Sequence, residues 1–179
     1  MIIGLNGYAQ AGKDTTANIL IEKYGFRRVA FADKLRELLY ATDPKINYYD
    51  EEVMNLQTLV DNHGWDKVKQ IPEVRRMLQN IGLAAREMFH TDFWVEQAFA
   101  TVLPGEDIVV TDVRFPNEYD KVKSLGGQLW RVKRNNVAAV NNHISESALD
   151  AYKFDQIITN NGSIAELEDL IKKRMGLNV

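Results

Sequence analysis

With 179 residues, 45% of them hydrophobic and 26% charged, the chain has the composition of one globular domain with a sizeable core. It contains no cysteine, which excludes disulfides and thiolate metal sites, and three scattered histidines argue against a zinc site. A net charge of −3 provides no global basic field for a nucleic acid polymer, so an anionic partner must be met by a local cluster of Arg and Lys.

Met1 to Asn6 reads as a short apolar strand. It runs into Gly7-Tyr8-Ala9-Gln10-Ala11-Gly12-Lys13-Asp14-Thr15-Thr16, and a helix follows with Ala17, Leu20, Ile21 and Tyr24 on one face and Gly25 as its stop. Strand, Gly-x-x-x-x-Gly-Lys and helix, in that order, point to a phosphate-binding loop. Gly7 and Gly12 let the backbone turn tightly and bring its N–H groups against an anion. Lys13 puts a point charge where the β- and γ-phosphates of a nucleotide would lie, and the helix N-terminus adds its dipole. The set expected to hold the nucleotide is Gly7, Ala11, Gly12, Lys13, Asp14, Thr15 and Thr16. Such loops commonly place Ser or Thr after Gly-Lys to hold Mg²⁺; here Asp14 stands there, and a carboxylate also serves a hard cation, directly or through water. The opening residues read as a core strand rather than a signal peptide, and no apolar run is long enough to span a bilayer, so a cytoplasmic protein is expected.

Arg27 to Phe31 is the next expected strand, and a helix carrying Leu35, Leu38 and Leu39 follows, with Asp33 as its N-cap. Arg36 lies off the apolar stripe, on a face open to solvent or to a ligand. Residues 42–71 are polar, and Val53, Leu56 and Val60 suggest a helix over roughly 50–62. Tyr48, Tyr49 and Trp65 either anchor this insertion or lid a pocket. Pro72 opens a long helix with Val74, Met77, Leu78, Ile81, Ala85 and Met88 on its apolar face. Arg75, Gln79, Gly82 and Arg86 lie along another. Gly82 costs about 1 kcal/mol in mid-helix, which a neighbouring element or a ligand close to the backbone would explain.

Thr91-Asp92 caps a helix carrying Trp94, Val95, Ala98, Phe99 and Val102. Asp107 to Asp112 reads as a buried parallel strand ending in a carboxylate, and ligands gather at the carboxyl ends of such strands. Asp112 is therefore expected near Lys13, as the second half of a nucleotide–metal site, with Arg114 within two residues of the strand end. Pro116 starts a short helix ending at Gly126-Gly127, and Gln128 to Arg134 is a strand delivering Arg131, Lys133 and Arg134 to its exit. Residues 135–145 lack periodicity and read as a mobile loop, in which His143 is a local hydrogen-bonder before a base. Gln156 to Asn160 is the last strand, and Ser163-Ile164-Ala165-Glu166 is a capping box for the final helix.

Strands alternate with helices, giving about five strands in one parallel sheet. The chain resembles the phage-type deoxynucleoside monophosphate kinases, within the P-loop nucleoside monophosphate kinase fold. The resemblance covers nearly the whole chain. It rests on Gly-Lys-Asp-Thr at 12–15, Phe-Ala-Asp at 31–33, Arg86, Asp92 with Trp94-Val95, Asp112-Val113-Arg114-Phe115-Pro116-Asn117-Glu118, Arg134, His143 with Ser145-Glu146, and Asn161-Gly162-Ser163. It implies a three-layer α/β P-loop NTPase fold: one domain over 1–179, with its core at 1–41 and 106–179, a helical acceptor-side region about 42–105, and a lid about 134–146. It also implies that ATP and a deoxynucleoside monophosphate give ADP and the diphosphate, with Mg²⁺ required. The partners expected are those small molecules, with no nucleic acid polymer and no membrane; a homodimer is left open, and the location would be the host cytoplasm for a phage-borne gene.

The residues support that chemistry on their own terms, because phosphoryl transfer requires alignment of two anions and offsetting of their repulsion. Lys13 is assigned to the β/γ-phosphates, and Asp14 and Asp112 to Mg²⁺ or its waters. Arg36, Arg86 and Arg114 are assigned to the acceptor phosphate, with Asp33 beside them, since a guanidinium fork bonds two phosphate oxygens. Arg134, at the foot of the loop, would close over the transferred group, Trp94 would stack on the acceptor base, and Glu118 would orient Arg114. Two alternatives share the loop: a kinase of another small phosphorylated acceptor, such as phosphomevalonate or dephospho-coenzyme A, and a non-catalytic nucleotide-binding switch.

Overall fold

The computed structural model describes residues 1–48, 52–135 and 147–176. The chain divides into two compact units, residues 1–30 with 99–179, and residues 31–98.

The first unit holds β1 (Ile2–Asn6), α1 (Lys13–Tyr24) and β2 (Arg27–Val29). Later in the chain it adds β5 (Ile108–Val110), α7 (Pro116–Ser124), β6 (Gln128–Lys133), β7 (Gln156–Thr159) and α8 (Ile164–Arg174). Its strands form a five-stranded sheet in the order β2-β5-β1-β6-β7, and every pairing is parallel. β1 is central, with Ile3 beside Val109 of β5 on one side and beside Gln128 of β6 on the other. Side chains alternate across it. Ile3 and Leu5 join Trp130, Val132 and Ile158 in a core closed by Ala17 and Leu20 of α1 and Leu167 and Ile171 of α8. On the opposite parity, Gly4 and Leu129 face Val113 and Val122, so α7 covers the other face. The result is the three-layer α/β arrangement that the alternating pattern predicts.

The second unit holds α2 (Phe31–Thr42), β3 (Lys45–Tyr48), β4 (Glu52–Asn55), α3 (Leu56–His63), α4 (Trp65–Val68), α5 (Pro72–Met88) and most of α6 (Phe93–Phe99). Leu39, Ile46, Leu56, Leu59, Val68 and Val74 form its core. Several local expectations change. Within the helix placed at 50–62, Glu52–Asn55 is an antiparallel strand, pairing Ile46 with Met54, and a helix starts at Leu56; residues 50 and 51 lie outside the described residues. The spacing of Val53, Leu56 and Val60 imitates a helical stripe, yet Val53 is 54% exposed while Leu56 is fully buried. Asp33 lies in the first turn of α2 rather than capping it, because Phe31 buries as the first helical residue instead of ending β2. Met88 stands exposed at the end of the α5 stripe, and Val102 lies beyond α6. The division at residue 30 also places α2 with the insertion, which contains a hairpin as well as helices. Tyr49 and the lid segment after Asn135, with His143, lie outside the described residues. No helix among the described residues is long and apolar enough to cross a membrane.

Candidate active site

The phosphate loop leaves the carboxyl end of β1 between two neighbours. At Gly7, φ is +148° and an added Cβ would collide with the Val132 carbonyl oxygen, so the β6 backbone closes directly on the loop. At Gly12, φ is +100° and a Cβ would collide with Asn160 Nδ2. Asn160 follows β7, and its side-chain amide donates to the Ala11 carbonyl at 3.0 Å. Ala11 is buried, its N–H bonded to the Tyr8 carbonyl at 3.2 Å; it shapes the loop from within. Lys13 Nζ donates to the carbonyls of Gly7 (2.8 Å) and Tyr8 (2.9 Å), which holds the ammonium over the loop. Asp14 is exposed and Thr15 half-buried in the first turn of α1, where a helix N-terminus favours negative charge. Thr16, expected among the nucleotide-binding residues, is fully buried with its hydroxyl bonded to the Gly12 carbonyl at 2.9 Å. Its hydroxyl thus serves the helix start.

On the β5 side, the Val113 N–H donates to the Leu5 carbonyl at 3.2 Å, so the segment Asp112–Arg114 runs beside the end of β1. Val113 is buried, flanked by half-buried Asp112 and exposed Arg114. Pro116 takes the first turn of α7, and Glu118 completes a capping box there. Glu118 is 6% exposed, and its Oε2 accepts from the backbone N–H groups of Arg114 (2.6 Å) and Phe115 (2.9 Å). The expected link between Glu118 and Arg114 thus includes the main chain.

On the β6 side, Gly7, Tyr8 and Ala11 share a cavity of about 390 Å³ with the strand exit, Arg131 to Asn135, and with Asp150. Arg134 stands exposed at its rim. Arg131 is only 11% exposed; it is ion-paired to Asp150 and stacked over Phe154, 5.1 Å from the ring centre. The Tyr8 hydroxyl donates to the same carboxylate at 3.2 Å. Asp150 and Asn160 carry no motif of their own. The one signal for Asn160 is a polar residue just past a strand that the parallel pattern brings to the loop.

Asp33, Arg36, Arg86 and Trp94 belong to the second unit. Arg36 pairs with Asp33 one helical turn away, at 3.2 Å. Arg86 is half-buried in the last turn of α5. Trp94 is 9% exposed; its Nε1 donates to the Gly82 carbonyl at 3.0 Å and Phe93 packs edge-on against it. The ring packs between α5 and α6, and the element beside Gly82 is α2, whose Leu35 lies 3.4 Å from a Cβ built there.

The sequence profile described as deoxynucleotide monophosphate kinase matches residues 65–171. A protein of Acanthamoeba polyphaga mimivirus, provisionally named a deoxynucleotide monophosphate kinase, is 30% identical over 93% of this chain and 91% of its own length. The chain belongs to the deoxynucleotide monophosphate kinase family. The deoxynucleotide monophosphate kinase of Enterobacteria phage T4 is 25% identical over 97% of this chain and 98% of its own. Among solved structures, shikimate kinase from Bacteroides thetaiotaomicron aligns over 99% of both chains at 12% identity, with a TM-score of 0.46. Membership makes the chain a P-loop kinase that works on nucleotides, as the loop and the resemblance led one to expect.

Proposed function

We propose that this deoxynucleotide monophosphate kinase transfers the γ-phosphoryl group of ATP to a deoxynucleoside 5′-monophosphate. An oxygen of the acceptor phosphate forms the new bond to phosphorus as the bond to the β,γ-bridging oxygen breaks, and ADP leaves with that electron pair. The observation that carries this reading is the pair of segments flanking β1. The loop bearing Lys13 follows β1 directly, and the segment bearing Asp112 and Arg114 is tied to the end of β1 through the Val113–Leu5 hydrogen bond. That neighbourhood supports a reading in which anion cradle, carboxylates and guanidinium serve one site, which is what alignment of two phosphates needs.

Lys13 would hold the β- and γ-phosphates and Arg114 the acceptor phosphate, with Arg36 and Arg86 as further acceptor-side cations and Arg134 closing from the β6 side. Among the described residues no group of three or more carboxylates and histidines could hold a metal. Asp14 and Asp112 would hold Mg²⁺ or its waters, since that ion keeps several waters and takes phosphate oxygens for the rest. When bound, Mg²⁺ would neutralise charge developing on the phosphates.

The test is ADP release with dGMP, dTMP, dCMP and dAMP, with phosphomevalonate and dephospho-coenzyme A as competing acceptors. Turnover with a deoxynucleotide is expected, and Arg114→Ala should lower kcat/KM on the order of 10²-fold or more. Turnover with a non-nucleotide acceptor alone would overturn the substrate class. ATP binding without acceptor-dependent consumption would leave a switch.

A further inference from the structure

Asn6 ends β1 immediately before the phosphate loop, and none of the chemistry above uses its side chain. It is 8% exposed. Its Nδ2 donates to the Val113 carbonyl at 2.9 Å. Because the Val113 N–H already donates to Leu5, both backbone polar groups of Val113 end on β1, one of them through the Asn6 side chain. Val113 is the residue between Asp112 and Arg114. The other end of the amide is different: Asn6 Oδ1 is buried with no hydrogen-bond partner among the described residues. A half-satisfied buried amide is a poor choice for stability alone, where an apolar side chain of similar size would fill the space. Such residues persist where function needs them.

We propose that Asn6 is a positioning residue for phosphoryl transfer, its amide fixing the Asp112–Arg114 backbone against the entrance of the phosphate loop. The inference rests on the kinase reading above. Without Nδ2, the Val113 carbonyl loses this tie to β1, and the peptide joining Val113 to Arg114 is left with the bond from the Arg114 N–H to Glu118, which fixes it to α7 and not to the entrance of the phosphate loop. Transfer between two bound phosphates is sensitive to displacements of an ångström or less.

The experiment is a four-way comparison of wild type, Asn6→Leu, Arg114→Ala and the double variant. Asn6→Leu exchanges one unpaired buried acceptor, Asn6 Oδ1, for another, the Val113 carbonyl, so Tm should stay close to wild type. Its kcat should fall between about 10-fold and 10²-fold while KM for ATP moves less than about threefold. In the Arg114→Ala background the same substitution should cost less than about threefold, because the group it positions is gone. An unchanged kcat, a kcat loss that follows a falling Tm, or an equal loss in both backgrounds would overturn the role. Should Asn6→Leu not fold, Asn6→Ser goes through the same comparison, its hydroxyl too short to reach the Val113 oxygen. A wild type that releases no ADP with any deoxynucleotide sinks the kinase reading itself. An active wild type with independent losses at Asn6 and Arg114 removes only Asn6.

Discussion

Asn160 Nδ2 donates to the Ala11 carbonyl across 3.0 Å, and in doing so fills the space into which a Cβ on Gly12 would project. The loop is thus held from outside by the residue after β7. Gly12→Ala should meet both a collision and a backbone with φ of +100° that alanine rarely adopts. ATP affinity, measured by calorimetry, should fall at least about tenfold. Asn160→Ala in the same chain should recover part of it, relieving the collision but not the dihedral. Full recovery would mean that the dihedral is tolerated.

Glu118 caps α7 with a buried carboxylate that takes two backbone N–H groups. Glu118→Ala should cost about 1–2 kcal/mol as a lost cap, or at least about 2 °C in Tm. It should also lower kcat/KM, because the backbone of Arg114 loses an anchor. Glu118→Gln, which keeps a weaker acceptor, should fall between. A thermal melt with parallel steady-state kinetics checks both effects.

Arg27 reaches across from β2 to Glu106 before β5, and Glu106 also accepts from the Leu103 N–H at 3.0 Å. The hydrogen bond from Arg27, then that from Leu103, hold the Glu106 carboxyl down at about 2, against an ordinary value of 4.5. A depressed carboxylate stabilises the fold fully above its unfolded value, and the contribution is lost as pH falls from about 4.5 through about 2. The stability difference between wild type and Glu106→Gln should therefore be constant above that window and shrink within it. Denaturant melts across pH 2–6 would show it (roughly the span in which linkage acts). A difference that does not change with pH would remove the pair as its cause.

Trp94→Phe keeps an aromatic ring but loses the bond to Gly82. It should cost about 1 kcal/mol, roughly 2–4 °C in Tm. KM for the deoxynucleotide should stay within about twofold. A large rise in KM without a change in Tm would return Trp94 to the substrate.

The first unit was legible because its signals are local and redundant. A strand, two glycines, a lysine and a helix sit in consecutive residues, and Asp112 and Arg114 follow a run of three fully buried β-branched residues, Ile108 to Val110. In the second unit the helices α2, α5 and α6 were legible, while the stretch from Lys45 to His63 was not. The Lys45–Asn55 hairpin pairs residues whose apolar members also fit a helical period, and only the pairing of Ile46 with Met54 decides between them. Thr16 belongs to the loop by position, and only the structure shows it to be buried. Asn160 and Asp150 act on residues well over a hundred positions away, Ala11 and Tyr8, a relationship that no local pattern carries.

Residues 2–6 form the middle strand of the sheet, and both of their partners, 108–110 and 128–131, come late in the chain. During synthesis the loop that would seize the nucleotide must wait, unpaired, until more than half the polypeptide has emerged. A chain interrupted before Ile108 would lack every strand that borders β1. Such distant pairings are slow to form, so a deoxynucleotide or ATP added during refolding should leave the rate of recovery unchanged, because it binds only once the sheet has closed.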